Sequence, residues 1–488
     1  MNFTSFLFLT CFLLPAFTLH SLLRSKTAAN AVLLICSILF YGCYDWKYLL
    51  FLGACVAVTY LGGALGHRFR QQGKQALGRG ILFGALTANI LMLLVCKYTG
   101  FALQNINVLL APANVRIELP GILLPVGLSF YVFQSSSYLL DIHFGKLEPE
   151  RNLLSYALFV SFFPTITSGP IQRATDLLPQ INSRRSLSWD GFRHAVLLFL
   201  WGAFLKMVIA DKLAVFTSAV FDAYHQCGFF QLFPAMCAYS VQIYGDFAGY
   251  SYMAAAIAML FGFRLKPNFL RPYAARSIGE FWRRWHISLS SWFRDYIYIP
   301  LGGNRRGELR KYLNLTVVFL VSGLWHGASW SFILWGGIHA FYQVFGALTQ
   351  KYRRAAVKAL GIRTDCFSYR LFQRIIVFLL VSVAWVFFRA GNAGEALACL
   401  RQMVFQLGFN KLIEGAVWTL GLDGVTVAAV GLLVLVSTLQ EKGMDIRFFL
   451  EQNLLLRWLV YTALIIVLIL FGAYGPTFNA SDFIYAAF

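Results

Sequence analysis

Hydrophobic runs of about 20 residues, separated by short basic stretches, recur from one end of the chain to the other. Twenty residues of helix rise about 30 Å, the thickness of a bilayer's hydrocarbon core, so the pattern predicts an all-α polytopic membrane protein. The first span runs from about Phe3 to Leu22; it has no basic n-region and no small-residue cleavage site, and reads as a helix rather than a signal peptide. A second span reaches about Tyr44, and a third runs from about Tyr48 to just before His67. Further spans are predicted at about 80–98, 120–141, 153–170, 191–210, 229–263, 312–326, 329–349, 370–390, 417–438 and 455–474. The stretch 229–263 is too long for one simple helix, which leaves the count at about 11–13. Pro164, Gly169 and Pro170 interrupt one run with residues that break the helical ladder, so that stretch is expected to be re-entrant or to line a protected cavity.

Charge orients the bundle. Arg24 and Lys26 follow the first span and His67, Arg68, Arg70, Lys74 and Arg79 the third, whereas the second loop is hardly basic, so the N-terminus is expected outside. Lys and Arg number 41 against 21 Asp and Glu. This excess sits in loops between apolar runs, which marks cytoplasmic faces and argues against nucleic-acid binding. With 59% hydrophobic and 13% charged residues, the 488-residue chain reads as one integral membrane domain rather than as several soluble ones. Its parts are N-terminal helices over about 1–119, a core over about 120–390, and C-terminal helices with an aromatic tail over about 391–488. The stretches 171–190 and 264–311 have the character of cytoplasmic loops. Nine cysteines without a Cys-x-x-Cys pair imply neither a disulfide framework nor a metal site.

Chemistry concentrates in three places. Between Glu280 and Ile299, Trp282, Trp285, Leu289, Trp292, Phe293 and Tyr296 recur at helical spacing, with Arg283, Arg284, Ser288, Ser291 and Asp295 opposite. This predicts an interfacial amphipathic helix with its aromatics in the headgroup layer and its arginines toward water. His286 lies on its apolar side, where packing or hydrogen bonding competes with catalysis. The following turn, Pro300-Leu-Gly-Gly-Asn304-Arg305-Arg306-Gly307, has the flexibility and charge to meet phosphates, and equally the look of an ordinary basic loop. In Ser322-Gly-Leu-Trp325-His326-Gly-Ala-Ser-Trp330 a histidine stands between two apolar spans, flanked by tryptophans and by small residues that would let a substrate chain pass. An ionisable group at membrane depth is a functional candidate, and neutral imidazole can take a proton from an attacking hydroxyl. His339 lies thirteen residues on, around the helix from His326, and the two are not paired. Asp246, in Tyr244-Gly-Asp-Phe-Ala-Gly, is read as polar glue between closely packed helices or as a group that orients a histidine.

Ser277-Ile-Gly-Glu-Phe-Trp-Arg-Arg-Trp-His286, Arg294-Asp-Tyr, Leu301-Gly-Gly-Asn-Arg and Gly323-Leu-Trp-His326-Gly-Ala, with Leu124-Pro-Val-Gly-Leu-Ser-Phe-Tyr and Ser168-Gly-Pro-Ile171, resemble the signature of the membrane-bound O-acyltransferase family. The resemblance is to the branch of alginate and peptidoglycan O-acetyltransferase membrane subunits. It implies tilted helices around a central tunnel, His326 as the essential histidine and His286 at a second polar position. It also implies acetyl-CoA as donor, with no permanently bound cofactor. The tail Phe483-Ile-Tyr485-Ala-Ala-Phe488 is similar to that branch's C-terminal aromatic motif, in which a tyrosine relays the acetyl group. Alginate-type members often carry a second acid where this chain has Tyr252, and Phe where it has Gly245, which leaves the glycan and the partner of Asp246 open.

The expected protein is therefore an O-acetyltransferase of the bacterial inner membrane, serving a cell-surface glycan through a periplasmic SGNH-type partner. His326, His286 and Tyr485 would carry the chemistry, Asn304, Arg305 and Arg306 the donor's phosphates, and Trp325, Trp330 and Asp246 the tunnel or the orientation of the histidines. D-alanyl transfer to teichoic acid is one rival. A transporter or flippase is the other, and it predicts inverted repeats that the sequence does not display.

Overall fold

The computed structural model describes residues 2–407, 423–444 and 447–474, and among them every regular element is helical. The chain divides into two compact units, Met1–Phe199 with Met253–Lys266, and Leu200–Tyr252 with Pro267–Phe488.

The first unit opens with α1 (Phe8–Leu22), α2 (Lys26–Gly42) and α3 (Tyr48–Gln71), close to the predicted bounds, and α4 (Gln75–Leu110), which runs well past the expected 80–98 at its C-terminal end. Next comes α5 (Leu128–His143), buried on nearly every face although Ser129, Gln134, Ser135, Ser136 and Ser137 lie in it. Its hydroxyls find partners inside the protein: Asn89 Nδ2 donates to Ser135 Oγ and Ser136 Oγ, both at 3.0 Å. After α6 (Leu153–Ser161) the chain leaves the helix, and residues 162–172 run irregularly through the interior before α7 (Ala174–Ile181). Pro164 and Pro170 enforce that break. The freed backbone is satisfied by side chains, with Phe163 N donating to Ser37 Oγ at 3.1 Å and Gln172 N to Gln134 Oε1 at 3.3 Å.

Two long helical runs belong partly to each unit. One is α8 (Trp189–Ala203), continuing through a π-helical segment, Phe204–Ala210, into α9 (Asp211–Asp222). The other is α10 (Phe229–Leu260), a single helix of 32 residues where the sequence argued against one; Pro234, in its second turn, does not end it.

The second unit corrects the interfacial-helix expectation. Residues 278–298 are not one amphipathic helix but α11 (Ile278–Arg284), a break at Trp285 and His286, α12 (Ile287–Phe293) and a π turn. Trp282, Trp285, Leu289, Trp292 and Phe293 are buried in protein, not laid out for a headgroup layer. The periodicity was real; the surface it faced was the rest of the fold. Ser277 caps α11 by accepting from Glu280 N at 3.1 Å, and Glu280 Oε2 accepts from Arg276 N at 2.9 Å, close to a capping box. Arg284 turns inward, bonding Glu280 at 2.7 Å and Glu441 at 2.6 Å. Hence the part of 264–311 that holds α11 and α12 packs into the protein, although its polar composition suggested a loop, while 304–310 are exposed.

The remaining helices are α13 (Glu308–His326), α14 (Trp330–Leu348), α15 (Gln350–Ala359), α16 (Phe367–Arg389), α17 (Ala393–Phe405), α18 (Gly424–Glu441) and α19 (Leu454–Phe471). Among the described residues six helices are long and apolar enough to cross a bilayer, and two shorter apolar ones precede them. The middle of the chain is less apolar because its helices bury polar groups; α10 alone buries Gln231, Ser240, Gln242, Asp246 and Ser251. At membrane depth only a protein interior accepts such residues.

Candidate active site

α13 and α14 form a tight hairpin. A Cβ on Gly323 would stand 2.2 Å from Phe332 O, and one on Gly336 would stand 2.3 Å from Phe319 O. These glycines therefore let the two backbones touch. The small residues of the Gly323-to-Ala328 motif were expected to leave room for a passing chain, but the space at Gly323 and Gly327 is filled by Phe332.

His326 is the last residue of α13, at the hairpin's turn, with 2% of its surface exposed. Its ring meets Trp325 at 4.9 Å, Trp335 at 5.0 Å and Phe388 at 5.2 Å between centroids, and His286 stands 6.5 Å away. The two motif histidines, forty residues apart in sequence, thus share one buried site. Trp335 also separates His326 from His339, whose Nδ1 accepts from Trp282 Nε1 at 3.3 Å.

His286 is where the helix breaks, and it adopts a left-handed backbone (φ 43°, ψ 54°) that is unfavourable for a side chain with a Cβ. What holds it there is Asn268, which pattern reading passed over because an isolated Asn in a polar stretch looks like a turn residue. Asn268 O accepts from Ile287 N at 2.9 Å. Its Oδ1 accepts from Ser288 N at 3.2 Å and Ser288 Oγ at 2.9 Å, and stands 3.2 Å from His286 Nδ1. Phe247 closes the other flank edge-on, 4.6 Å from the imidazole centroid.

Asp246 lies one residue from Phe247 and pairs with a lysine. Lys206 Nζ stands 2.7 Å from Asp246 Oδ1 and 2.8 Å from Asp211 Oδ1, all three side chains being at most 5% exposed. Lys206 sits in the π segment, and α10 reaches it because Gly245 and Gly249 lie against that backbone, where added Cβ atoms would come within 3.0 Å of Leu205 O and 2.7 Å of Gly202 O. The sequence contained the signal for this triad, a charged residue inside the run 191–210.

The other candidates are dispersed. Asn304, Arg305 and Arg306 are exposed in a turn whose Gly302, Gly303 and Gly307 have positive φ, fastened to α13 by Asn314 Nδ2 donating to Gly303 O at 3.0 Å. That turn precedes α13, whereas His326 ends it; nineteen residues of helix put them about 28 Å apart along the axis. Trp330 opens α14 and is 56% exposed. Tyr485 lies outside the described residues.

Outside the spans, Glu280 titrates abnormally: burial raises its pKa, but the Arg276 N–H and the Arg284 guanidinium outweigh that and hold it below the ordinary carboxylate value.

Residues 147–389, which include both histidines, match the family model of MBOAT, the membrane-bound O-acyltransferase family. Over 397 residues, 80% of this chain and 73% of the relative, the sequence is 38% identical to a probable alginate O-acetylase of Pseudomonas syringae pv. tomato.

This chain is a membrane-bound O-acyltransferase family member.

It is also similar to two further proteins. A peptidoglycan O-acetyltransferase of Helicobacter pylori is 34% identical over 82% of this chain and 78% of that protein. A teichoic acid D-alanyltransferase of Streptococcus thermophilus is 31% identical over 44% of this chain and 54% of that protein. The helical structure and its long apolar spans agree with the all-α, multi-pass membrane architecture of the family.

Proposed function

We propose that this O-acyltransferase moves acetyl from cytoplasmic acetyl-CoA to a polysaccharide of the cell envelope, of peptidoglycan or alginate type, from a site in the bacterial inner membrane with the N-terminus in the periplasm. The observation that carries the reading is the burial of His326 against His286 at the turn of the α13–α14 hairpin. An imidazole so placed is shielded from bulk water and can act as general base without competition from hydrolysis.

In this mechanism a hydroxyl oxygen attacks the thioester carbon while its proton passes to His326. The C–O bond forms, the C–S bond breaks, and the departing thiolate takes the proton back from the imidazolium. The attacking hydroxyl belongs either to Tyr485, as relay, or to an acceptor at the outer face. An SGNH-type partner would complete transfer to the sugar, so that neither coenzyme nor glycan crosses the membrane whole. Arg305 and Arg306 would meet the donor's phosphates, which requires the donor to extend along α13 toward His326.

The test is purified protein with acetyl-labelled acetyl-CoA, reading CoA release and label transfer for wild type, His326→Ala and Tyr485→Phe. His326→Ala should lose about 10²–10⁴-fold in rate. Full turnover by that variant removes the histidine from the mechanism. Because one relative is named for D-alanyl transfer, a D-alanyl-charged carrier protein is the second donor to try; transfer from it and not from acetyl-CoA would replace the acetyl reading. Movement of an intact substrate without CoA release would favour the transporter.

A further inference from the structure

We infer that Asn268 is a positioning residue that holds His286 as the Nδ1–H tautomer, which makes Nε2 the proton-accepting edge of that ring. The consequence for catalysis rests on the acyltransferase reading above; the tautomer itself does not.

One donor at this contact has a certain identity. Ser288 N is a backbone N–H and can only donate, so the Asn268 atom 3.2 Å away must be the amide oxygen, not the nitrogen. The opposite amide atom agrees, since Asn268 Nδ2 donates to Ser251 Oγ at 3.2 Å. An amide oxygen accepts and never donates. His286 Nδ1, 3.2 Å from that same oxygen, must therefore carry the hydrogen. With 1% of its surface exposed, the ring is held as neutral imidazole, and a neutral imidazole protonated at Nδ1 is unprotonated at Nε2. Ser288 Oγ, 2.9 Å from Asn268 Oδ1 and 3.5 Å from His286 Nδ1, lies beside the same contact.

The backbone adds a second restraint. Asn268 O accepts from Ile287 N, so both donors that follow His286 in the chain, Ile287 N and Ser288 N, end on one residue. That pairing offsets the unfavourable left-handed backbone at His286 and fixes the direction in which its ring leaves the chain. Asn268 reaches this position from the loop before α11, while Ser251, its own partner, belongs to α10, so the orientation is set from two elements.

This limits what His286 can do in the resting state. Its Nε2 edge can receive a hydrogen bond or a proton from a hydroxyl or thiol. It cannot donate to the carbonyl oxygen of a thioester as that oxygen becomes negative. His286 is thereby assigned as a second base or acceptor beside His326, not as an oxyanion donor.

The experiment uses the full chain in lipid bilayers with ¹⁵N-labelled histidine, subtracting the His286→Gln spectrum by solid-state NMR to isolate the His286 nitrogens. A protonated Nδ1 and an unprotonated Nε2 are expected; a protonated Nε2 overturns the inference, whether or not any acyl transfer is detected. Kinetics on acetyl-CoA supply the second arm. Asn268→Ala should lower kcat about 10–100-fold with KM unchanged, the size of loss seen when the partner that orients a metal-bound histidine is removed. Asn268→Asp, which keeps the acceptor oxygen, should recover part of that loss. A purely structural role would leave the tautomer untouched and lower both variants together with their thermal stability. Should Asn268→Ala fail to fold, the wild-type spectrum still decides. A wild type inactive with every donor while showing the expected tautomer would sink the functional reading and leave this one standing.

Discussion

Replacing Gly323 by alanine places a Cβ 2.2 Å from Phe332 O, a backbone atom of the facing helix that cannot swing aside. Ordinary van der Waals contact requires α13 and α14 to part by roughly 1 Å at that level. Overpacking of this kind costs about 1–3 kcal/mol, while alanine's better helix propensity returns about 1 kcal/mol, so net destabilisation should be about 0–2 kcal/mol. Activity should respond more strongly. His326 lies three residues on, less than one turn, and moves with the helix. A misplacement of about 1 Å can lower rate by about 100-fold. Gly337→Ala is the matched control, because its Cβ would find only Leu320 Cδ2 at 3.9 Å; it should be neutral or slightly stabilising. Thermal unfolding in nanodiscs and CoA release from acetyl-CoA read the two effects. Wild-type stability and turnover in Gly323→Ala would refute the claim that the hairpin contact positions the histidine.

Other outcomes follow from the same geometry. Lys206→Met leaves Asp211 and Asp246 facing each other without the lysine, and should destabilise by about 3–5 kcal/mol, seen as a lowered unfolding midpoint; an unchanged midpoint would show the triad to be dispensable. Glu280, with its folded pKa held below the ordinary value, contributes stability that is complete above the unfolded carboxylate pKa and disappears as pH falls through the folded one. Glu280→Gln should therefore be less stable near neutrality and should flatten the acid limb of the stability–pH curve. A parallel limb in the variant would contradict this. If the exposed turn meets the donor's phosphates, Arg305→Ala with Arg306→Ala should raise KM for acetyl-CoA about tenfold at constant kcat, corresponding to about 1.4 kcal/mol. An unchanged KM would reduce the turn to a cytoplasmic loop.

Much of the architecture was legible because a bilayer restricts the chain so severely. The bounds of α3, α14, α16 and α19 follow from apolar length alone, and the break after Ser161 follows from Pro164 and Pro170. His326 stood out in the sequence because an ionisable residue at membrane depth is rare, and the structure places it buried at the end of α13. The stripe from Trp282 to Phe293 was legible as helical and misleading as interfacial, since spacing reports which residues share a face but not whether lipid, water or protein covers it. Asn268 and Lys206 were missed for different reasons. An asparagine in a polar stretch carries no periodic signal, and a lone lysine within an apolar run signals a buried partner without naming the two carboxylates that supply it.

The sequence by itself determined the membrane class, the helical spans and the residue types able to move a proton, because burial in lipid and side-chain chemistry act locally. Only the tertiary structure decided that His326 meets His286, that Asn268 orients the second imidazole, and that Asp246 meets Lys206. Those are contacts between positions 18 to 40 residues apart; that of Asp246 with Lys206 depends on the close approach of backbones at Gly245 and Gly249, and no one-dimensional pattern encodes the angle at which two helices meet.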